Sequence, residues 1–382
     1  MPTWLLVVLG IIAAVILLLL IAVVVFQDRV VYIPDIDEPQ MSPEMFGFVE
    51  GVSYEDLMIP TRDGEQLHAL FFKARAVVHG ERAGDPLHRE AVKTTPTILW
   101  LHANAGTVDL RLPTIHDVVA YAKCNVFIID YRGYGDSTGK PSEPGLKIDA
   151  EDALQYLRSR SDIDTSKIVV FGRSLGGAVA VHLATNPATA DKFGALLLEN
   201  TFTTLPDLAV SLLPLLLLVV PFSRNQWRSI DEIRKHGLKV PTMFFAAVHD
   251  EMIPHQQMCD LYETACSSVP EDFRQKIRMR KFLRGRHMSL PESNLMYFSW
   301  LRDWLVEVFP EIATQLSTEA RSQLQFQIEH PAPAPSSPAE PDHSEGNTDE
   351  DEDIGESNDG DDEKDSTIRK RNVEKKVGDD LE

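Results

Sequence analysis

Short apolar runs of β character recur along the middle of the chain, and segments with helical spacing separate them. Strands are predicted at 57–60, 67–72, 97–101, 126–129, 168–171, 195–198, 242–246 and 277–282. The first two lie either side of the turn Arg62-Asp63-Gly64. Helices are predicted at 112–122, 148–158, from Leu175 through Leu183, at 256–265 and at 294–308. Strands alternating with helices at this spacing make a mostly parallel sheet covered by helices on both faces. Ligands of such a sheet bind at the carboxyl ends of its strands.

Two apolar stretches break the alternation. Residues 4–26 carry no charge over 23 positions, enough for a helix to cross a hydrocarbon core. No basic leader precedes them, and no short apolar core with a small-residue cleavage site is present, so an uncleaved single-pass anchor is expected. Arg29 is the lone basic residue near the span and favours a cytoplasmic body on an endomembrane or the plasma membrane. The missing Asn-x-Ser/Thr sequon agrees with that side. The second stretch, 205–222, is too short and too rich in proline to be a second span. It reads either as a buried core helix or as the apolar lid of a lipid-binding pocket. Its position between two sheet strands favours the lid, which would also suit contact with a membrane surface.

The domain plan that follows has an anchor at 4–26, a tether at 27–51 and the α/β domain at 52–309. The lid lies within about 201–234, and a polar surface loop occupies 73–96. A linker at 310–330 leads to a disordered acidic tail at 331–382. Composition sharpens the tail. Of the net charge of −21, residues 340–382 hold −12, from 18 acidic and 6 basic side chains. From Pro331 onward only five residues are Val, Ile or Leu, too few to offset the entropy of ordering. So acidic a surface excludes nucleic acid as an expected partner. Cys124, Cys259 and Cys266 are odd in number and widely spaced, which makes neither a disulfide framework nor a metal site.

The stretch 167–183 carries the chemistry. Ile168 to Phe171 enters Gly172-Arg173-Ser174-Leu175-Gly176, and an alanine-rich helix leaves it. Such a strand-to-helix turn presents its serine at a helix N-terminus, where negative charge is favoured. A serine hydroxyl becomes a nucleophile only when a base takes its proton and a third group holds that base in one tautomer. On this kind of sheet the partners follow in the order acid, histidine. Asp250, in Val248-His249-Asp250-Glu251, follows one strand, and His287, in Gly285-Arg286-His287, follows the next. Glu251 is the rival acid; the shorter Asp250 side chain suits a fixed loop position better. Two backbone N–H groups must face the developing oxyanion. Leu175 is expected to supply one and Asn104 the other, with Ala103 in reserve. His102 is expected to hold that loop by a side-chain hydrogen bond, and Asp130, Arg132 and Asp136 to brace the neighbouring loop.

The motifs together carry a family resemblance. Leu101-His102-Ala103-Asn104-Ala105-Gly106, Asp130-Tyr131-Arg132-Gly133-Tyr134-Gly135, Gly172-Arg173-Ser174-Leu175-Gly176-Gly177, Glu199-Asn200-Thr201-Phe202-Thr203, Trp227-Arg228-Ser229, His249-Asp250-Glu251-Met252-Ile253-Pro254 and Gly285-Arg286-His287 recur in this order in the α/β-hydrolase superfamily. The chain resembles its membrane-anchored branch, the fungal bud-emergence-type and animal α/β-hydrolase-domain-13-like proteins, over residues 52–309. The resemblance implies an α/β-hydrolase fold, with Ser174, Asp250 and His287 as a triad. It also implies a serine hydrolase of esters, thioesters or amides. The expected function is a membrane-tethered hydrolase of an acyl lipid or acylated protein that needs no metal or organic cofactor. A peptidase of the same fold, or a non-catalytic membrane scaffold acting through the acidic tail, is the alternative. Oligomeric state is left open. Ala103 stands where the family usually has Gly, and it would strain the loop if that position needs a positive φ.

Overall fold

A single sheet gathers all the predicted strands in the computed structural model, which describes residues 2–34, 36, 40–74, 92–291, 294 and 296–313. Its eight strands are β1 (Tyr54–Pro60), β2 (Gln66–Phe72), β3 (Thr97–Leu101), β4 (Asn125–Ile129), β5 (Ile168–Arg173), β6 (Ala195–Glu199), β7 (Thr242–Ala247) and β8 (Ile277–Phe282). They lie in the order β1-β2-β4-β3-β5-β6-β7-β8. β2 runs antiparallel to β1 and β4, and the remaining pairs are parallel.

The continuous apolar runs follow from burial on both faces. Successive side chains of a strand point to opposite sides. Leu99, Leu101, Ile168 and Val170 therefore enter one core cluster, while Ile98, Trp100, Val169 and Phe171 enter the other. Helices α4 (Glu143–Ser159) and α5 (Leu175–Thr185) cover the first face. Helix α10 (Tyr297–Val308) covers the second with Tyr297, Leu301, Trp304 and Leu305. Between them in chain order come α6 (Leu205–Leu212), α7 (Ser229–His236), α8 (His255–Ser267) and α9 (Glu271–Arg274).

Helix boundaries depart from the hydrophobic pattern where local chemistry decides. α4 starts at Glu143 instead of 148, because Ser142 caps it by accepting from the Gly145 amide and Pro144 suits the first turn. The helix expected at 112–122 divides: α3 (Leu112–Asp117) is preceded by a 3-10 turn, Val108–Arg111, and followed by a π-type turn, Val118–Ala122. Lys123, at a φ of 57°, ends it.

At the N-terminus α1 (Thr3–Val25) is long and apolar enough to cross a membrane by length and composition. The segment expected as a tether carries structure of its own. α2 (Gln27–Val31) and a 3-10 turn, Pro43–Phe46, lie in it, and Tyr32 and Phe48 are buried in the two cores. For 205–222 the structure excludes the buried-helix reading: Leu212, Leu213, Leu217, Leu218 and Phe222 are each more than half exposed. Residues 75–91 of the expected surface loop, residues 314–330 of the expected linker and the whole expected tail at 331–382 lie outside the described residues.

Candidate active site

β5 ends at Arg173 and α5 begins at Leu175, which leaves a single residue, Ser174, to make the turn. Its backbone sits at φ 55°, ψ −118°, a region that L-residues avoid and that costs about 1–3 kcal/mol. The turn closes only because small residues flank it. A Cβ on Gly172 would lie 2.2 Å from the Gly176 carbonyl oxygen, and one on Gly176 would lie 1.9 Å from that of Leu101. Two bonds from the end of β6 hold the serine in place. Its amide donates to the Glu199 carbonyl at 3.0 Å, and its carbonyl accepts from Thr201 Oγ1 at 2.7 Å.

Asp250 follows β7 and His287 follows β8, and the two side chains meet: His287 Nδ1 lies 2.8 Å from Asp250 Oδ2. Both are almost wholly buried, at 2% and 3% side-chain exposure, so the pair is shielded from solvent. The other Asp250 oxygen accepts from the amides of Met252 at 2.9 Å and Ile253 at 2.8 Å, which fixes the carboxylate in its turn. Glu251 takes a different place, its Oε2 accepting from the His287 backbone N–H at 3.2 Å. Ser174 Oγ makes no hydrogen bond to the imidazole; such bonds commonly close only with substrate bound.

Ser174, Leu175 and Asn104 line one cavity of about 390 Å³, roofed by the 205–222 segment. Apart from Gln27, Asn104, Ser174 and Ser223 its lining is apolar. Leu175 is the first residue of α5, where backbone N–H groups have no intrahelical partner.

Comparison with known proteins decides the family. The alpha/beta hydrolase family pattern matches residues 77–313, more than half of the chain. The chain belongs to the alpha/beta hydrolase family. Among relatives of this hydrolase, the alpha/beta hydrolase domain-containing protein WAV2 of Arabidopsis thaliana is 38% identical over 69% of this chain and 82% of its own. Protein bem46 of Schizosaccharomyces pombe is 39% identical over 58% of this chain and 69% of its own. An uncharacterized membrane protein of Saccharomyces cerevisiae is 31% identical over 67% and 81%. Among solved structures, an esterase of Pyrococcus furiosus matches with a TM-score of 0.54 at 16% identity, over 73% of this chain and 97% of that one. An alpha-beta hydrolase from Vibrio vulnificus matches at 0.56 and 18% identity, over 74% and 92%.

The loop before the cavity is free of the strain that alanine threatened. Ala103 is absent from the residues with positive φ, which apart from glycines are Lys123, Ser174, Asn200 and Trp227 among the described residues. In this hydrolase His102 is fully buried, its Nδ1 2.7 Å from the Ala103 carbonyl oxygen, which it serves as donor. Burial, and then the nearby Arg111 charge, pull its pKa from 6.5 down to about 4. The ring is therefore neutral in the fold and charges on unfolding below 6.5. Its stabilisation is complete above pH 6.5 and is lost as pH falls toward 4, by about 3 kcal/mol in total. Urea midpoints measured at pH 7 and pH 4 should fall less steeply in His102→Asn than in wild type. Equal falls would contradict a neutral His102. Asp130 and Arg132 brace the adjacent loop: Asp130 bonds His68 Nδ1 at 2.9 Å and the Val108 amide at 2.9 Å, and Arg132 pairs with Asp149 and Asp63. Asp136 is exposed.

Asn200 has a role that the motifs alone did not reveal. At a φ of 44°, which Asn tolerates better than most residues, it bridges three strand ends. Its Nδ2 donates to the His287 carbonyl at 3.1 Å, its Oδ1 accepts from the Ala247 amide at 2.8 Å, and its own amide donates to Phe245. Beneath it, Arg173 and Tyr297 converge on the buried Glu199 carboxylate. The visible signal was an Asn directly after a buried strand at the catalytic edge.

Proposed function

We propose that the protein is a membrane-tethered serine hydrolase that cleaves an ester or thioester of an acyl lipid or acylated protein. The observation that carries this reading is the strained Ser174 at the floor of an apolar cavity, with the Asp250–His287 pair at the next two strand ends. His287 takes the Ser174 proton as Oγ attacks the acyl carbonyl, and Asp250 holds the proton on Nδ1 so that Nε2 is free to accept. The Leu175 and Asn104 amides receive the oxyanion. His287 then returns its proton to the leaving alcohol or thiol, and water, deprotonated by the same histidine, releases the acid. The apolar lining favours an acyl chain over a peptide. The length of α1 and the yeast relative's description as a membrane protein support tethering.

A fluorophosphonate probe applied to the full chain in membranes tests this. Covalent labelling is expected, and long-chain acyl esters or thioesters should compete with it better than peptide amides do. Preferential competition by peptides would point to a peptidase. Absent labelling and absent ester hydrolysis would favour the scaffold.

A further inference from the structure

The short segment after α1 is built into the cavity. Gln27, Val30, Val31 and Ile33 line one side of it, and Val23 and Val24, near the end of α1, continue that side. Leu208, Leu212 and Leu216 of the lid segment face them from the other. The segment that follows the anchor helix therefore lines the same cavity as Ser174.

Polar bonds tie this segment to both the lid segment and the Asn104 loop. Toward the lid, Gln27 Oε1 accepts from the Arg224 amide, and Gln27 Nε2 reaches the Phe222 carbonyl at 3.4 Å. Asp28 accepts from Asn225 Nδ2 at 2.6 Å and pairs with Arg224 at 3.1 Å. The buried Tyr32 hydroxyl donates to Asn225 Oδ1 at 2.8 Å and accepts from Trp227 Nε1 at 3.1 Å. Toward the oxyanion loop, Asn104 Oδ1 accepts from the Ile33 amide at 3.3 Å and from the Tyr134 hydroxyl at 2.9 Å, while its Nδ2 donates to the Val31 carbonyl. A mere spacer has no need of such order. Fixing a backbone costs about 1–2 kcal/mol per residue, and a flexible spacer keeps that freedom.

The depth of this wall gives the substrate's direction of approach. A 23-residue helix is about 34 Å long, close to the roughly 30 Å of a hydrocarbon core. Val23 and Val24 then stand at the edge of the hydrocarbon, and the cavity they line reaches that level. The outward side chains of Leu213, Leu217, Leu218 and Phe222, bare of protein, rim the same region and suit lipid.

We propose that residues 27–33 form the membrane-proximal wall of the acyl site, and that the substrate's acyl chain lies along this wall after entering from the bilayer beside the end of α1. The proposal rests on the hydrolase reading above and adds to it a long, bilayer-resident acyl chain. The segment is a specificity-determining part of the site. It also couples the anchor to the lid and to the Asn104 loop.

The test uses the full chain in phosphatidylcholine vesicles with two probes, p-nitrophenyl butyrate and p-nitrophenyl palmitate. Each rate is divided by the number of sites titrated with a fluorophosphonate. Val30→Trp places an indole in the acyl path and should lower the palmitate-to-butyrate ratio tenfold or more. Val24→Trp, on a helix face free of protein packing elsewhere, should lower it in the same direction and decides the matter if Val30→Trp titrates no sites. An unchanged ratio in a variant that titrates normally overturns the proposal. Hydrolysis at the wild-type rate in Ser174→Ala would instead overturn the underlying serine-hydrolase reading, so the two failures are distinguishable.

Discussion

Ser174→Ala should abolish covalent capture by a fluorophosphonate and lower ester hydrolysis by several orders of magnitude. The residue left behind has no nucleophile, and only binding and the oxyanion donors remain to speed attack by water, a residual of roughly 10³–10⁴ over the uncatalysed rate. The fold should not suffer. Ser174 offers no side-chain hydrogen bond to cap α5, and the bonds that hold the turn come from its backbone, which alanine keeps. Ser174→Gly carries the argument further. Glycine adopts the φ of 55° without penalty, so this variant should be inactive and more stable than wild type by about 1 kcal/mol or more. Stability bought by removing the nucleophile is what a strained functional turn predicts. Capture at full strength in Ser174→Ala would mean that another residue attacks, and an unchanged melting temperature in Ser174→Gly would mean that the turn stores no strain.

What the amino-acid pattern reveals divides along the range of the interactions involved. Strands β3 to β8 are legible to within a residue or two: β3 to β7 are runs of mostly apolar residues buried on both faces, and the edge strand β8 is bounded by the buried Ile277 and Phe282. β1 starts three residues before its predicted limit: as an edge strand it alternates between buried and exposed, and its outer half looks polar. α7 escapes the pattern because it is eight residues long and buries only Ser229 and Ile233. The 205–222 segment shows the limit of composition. The same leucines would suit a buried helix, and only their place over Ser174 makes them a roof. At the proposed site, the turn positions of Ser174, Asp250 and His287 are legible because each lies just past a predicted strand. The bonds that organise them are not. Gln27 and Arg224 are 197 positions apart, and Asn200 and His287 are 87 apart, so no local signal announces either contact. Glu251 is the instructive case, since sequence proximity made it a rival to Asp250 while the structure gives each carboxylate a different partner on the same histidine.

That division of labour yields the second large effect. Asp250→Asn should lower kcat about 10⁴-fold, while Glu251→Gln should cost less than about tenfold. The asparagine oxygen can still accept from the Met252 and Ile253 amides, so the turn survives. Its amide NH₂ then faces His287 Nδ1 in place of the Asp250 oxygen that stood 2.8 Å away. Two donors cannot share that position, so the ring must accept at Nδ1 and carry its proton on Nε2, where the base function is lost. Among the described residues Glu251 bonds the His287 backbone N–H alone, at 3.2 Å, and a glutamine carbonyl accepts from that donor equally well. Glu251→Ala removes the acceptor and should cost more than Glu251→Gln, by the roughly 0.5–1.5 kcal/mol of one such bond. Because Glu251 acts through the position of the loop, its variants should leave the shape of the pH–rate profile unaltered. Steady-state kinetics on a soluble short-chain ester across pH 5 to 9 separates the cases. Equal losses in Asp250→Asn and Glu251→Gln would overturn the assignment of Asp250 as the group that orients His287.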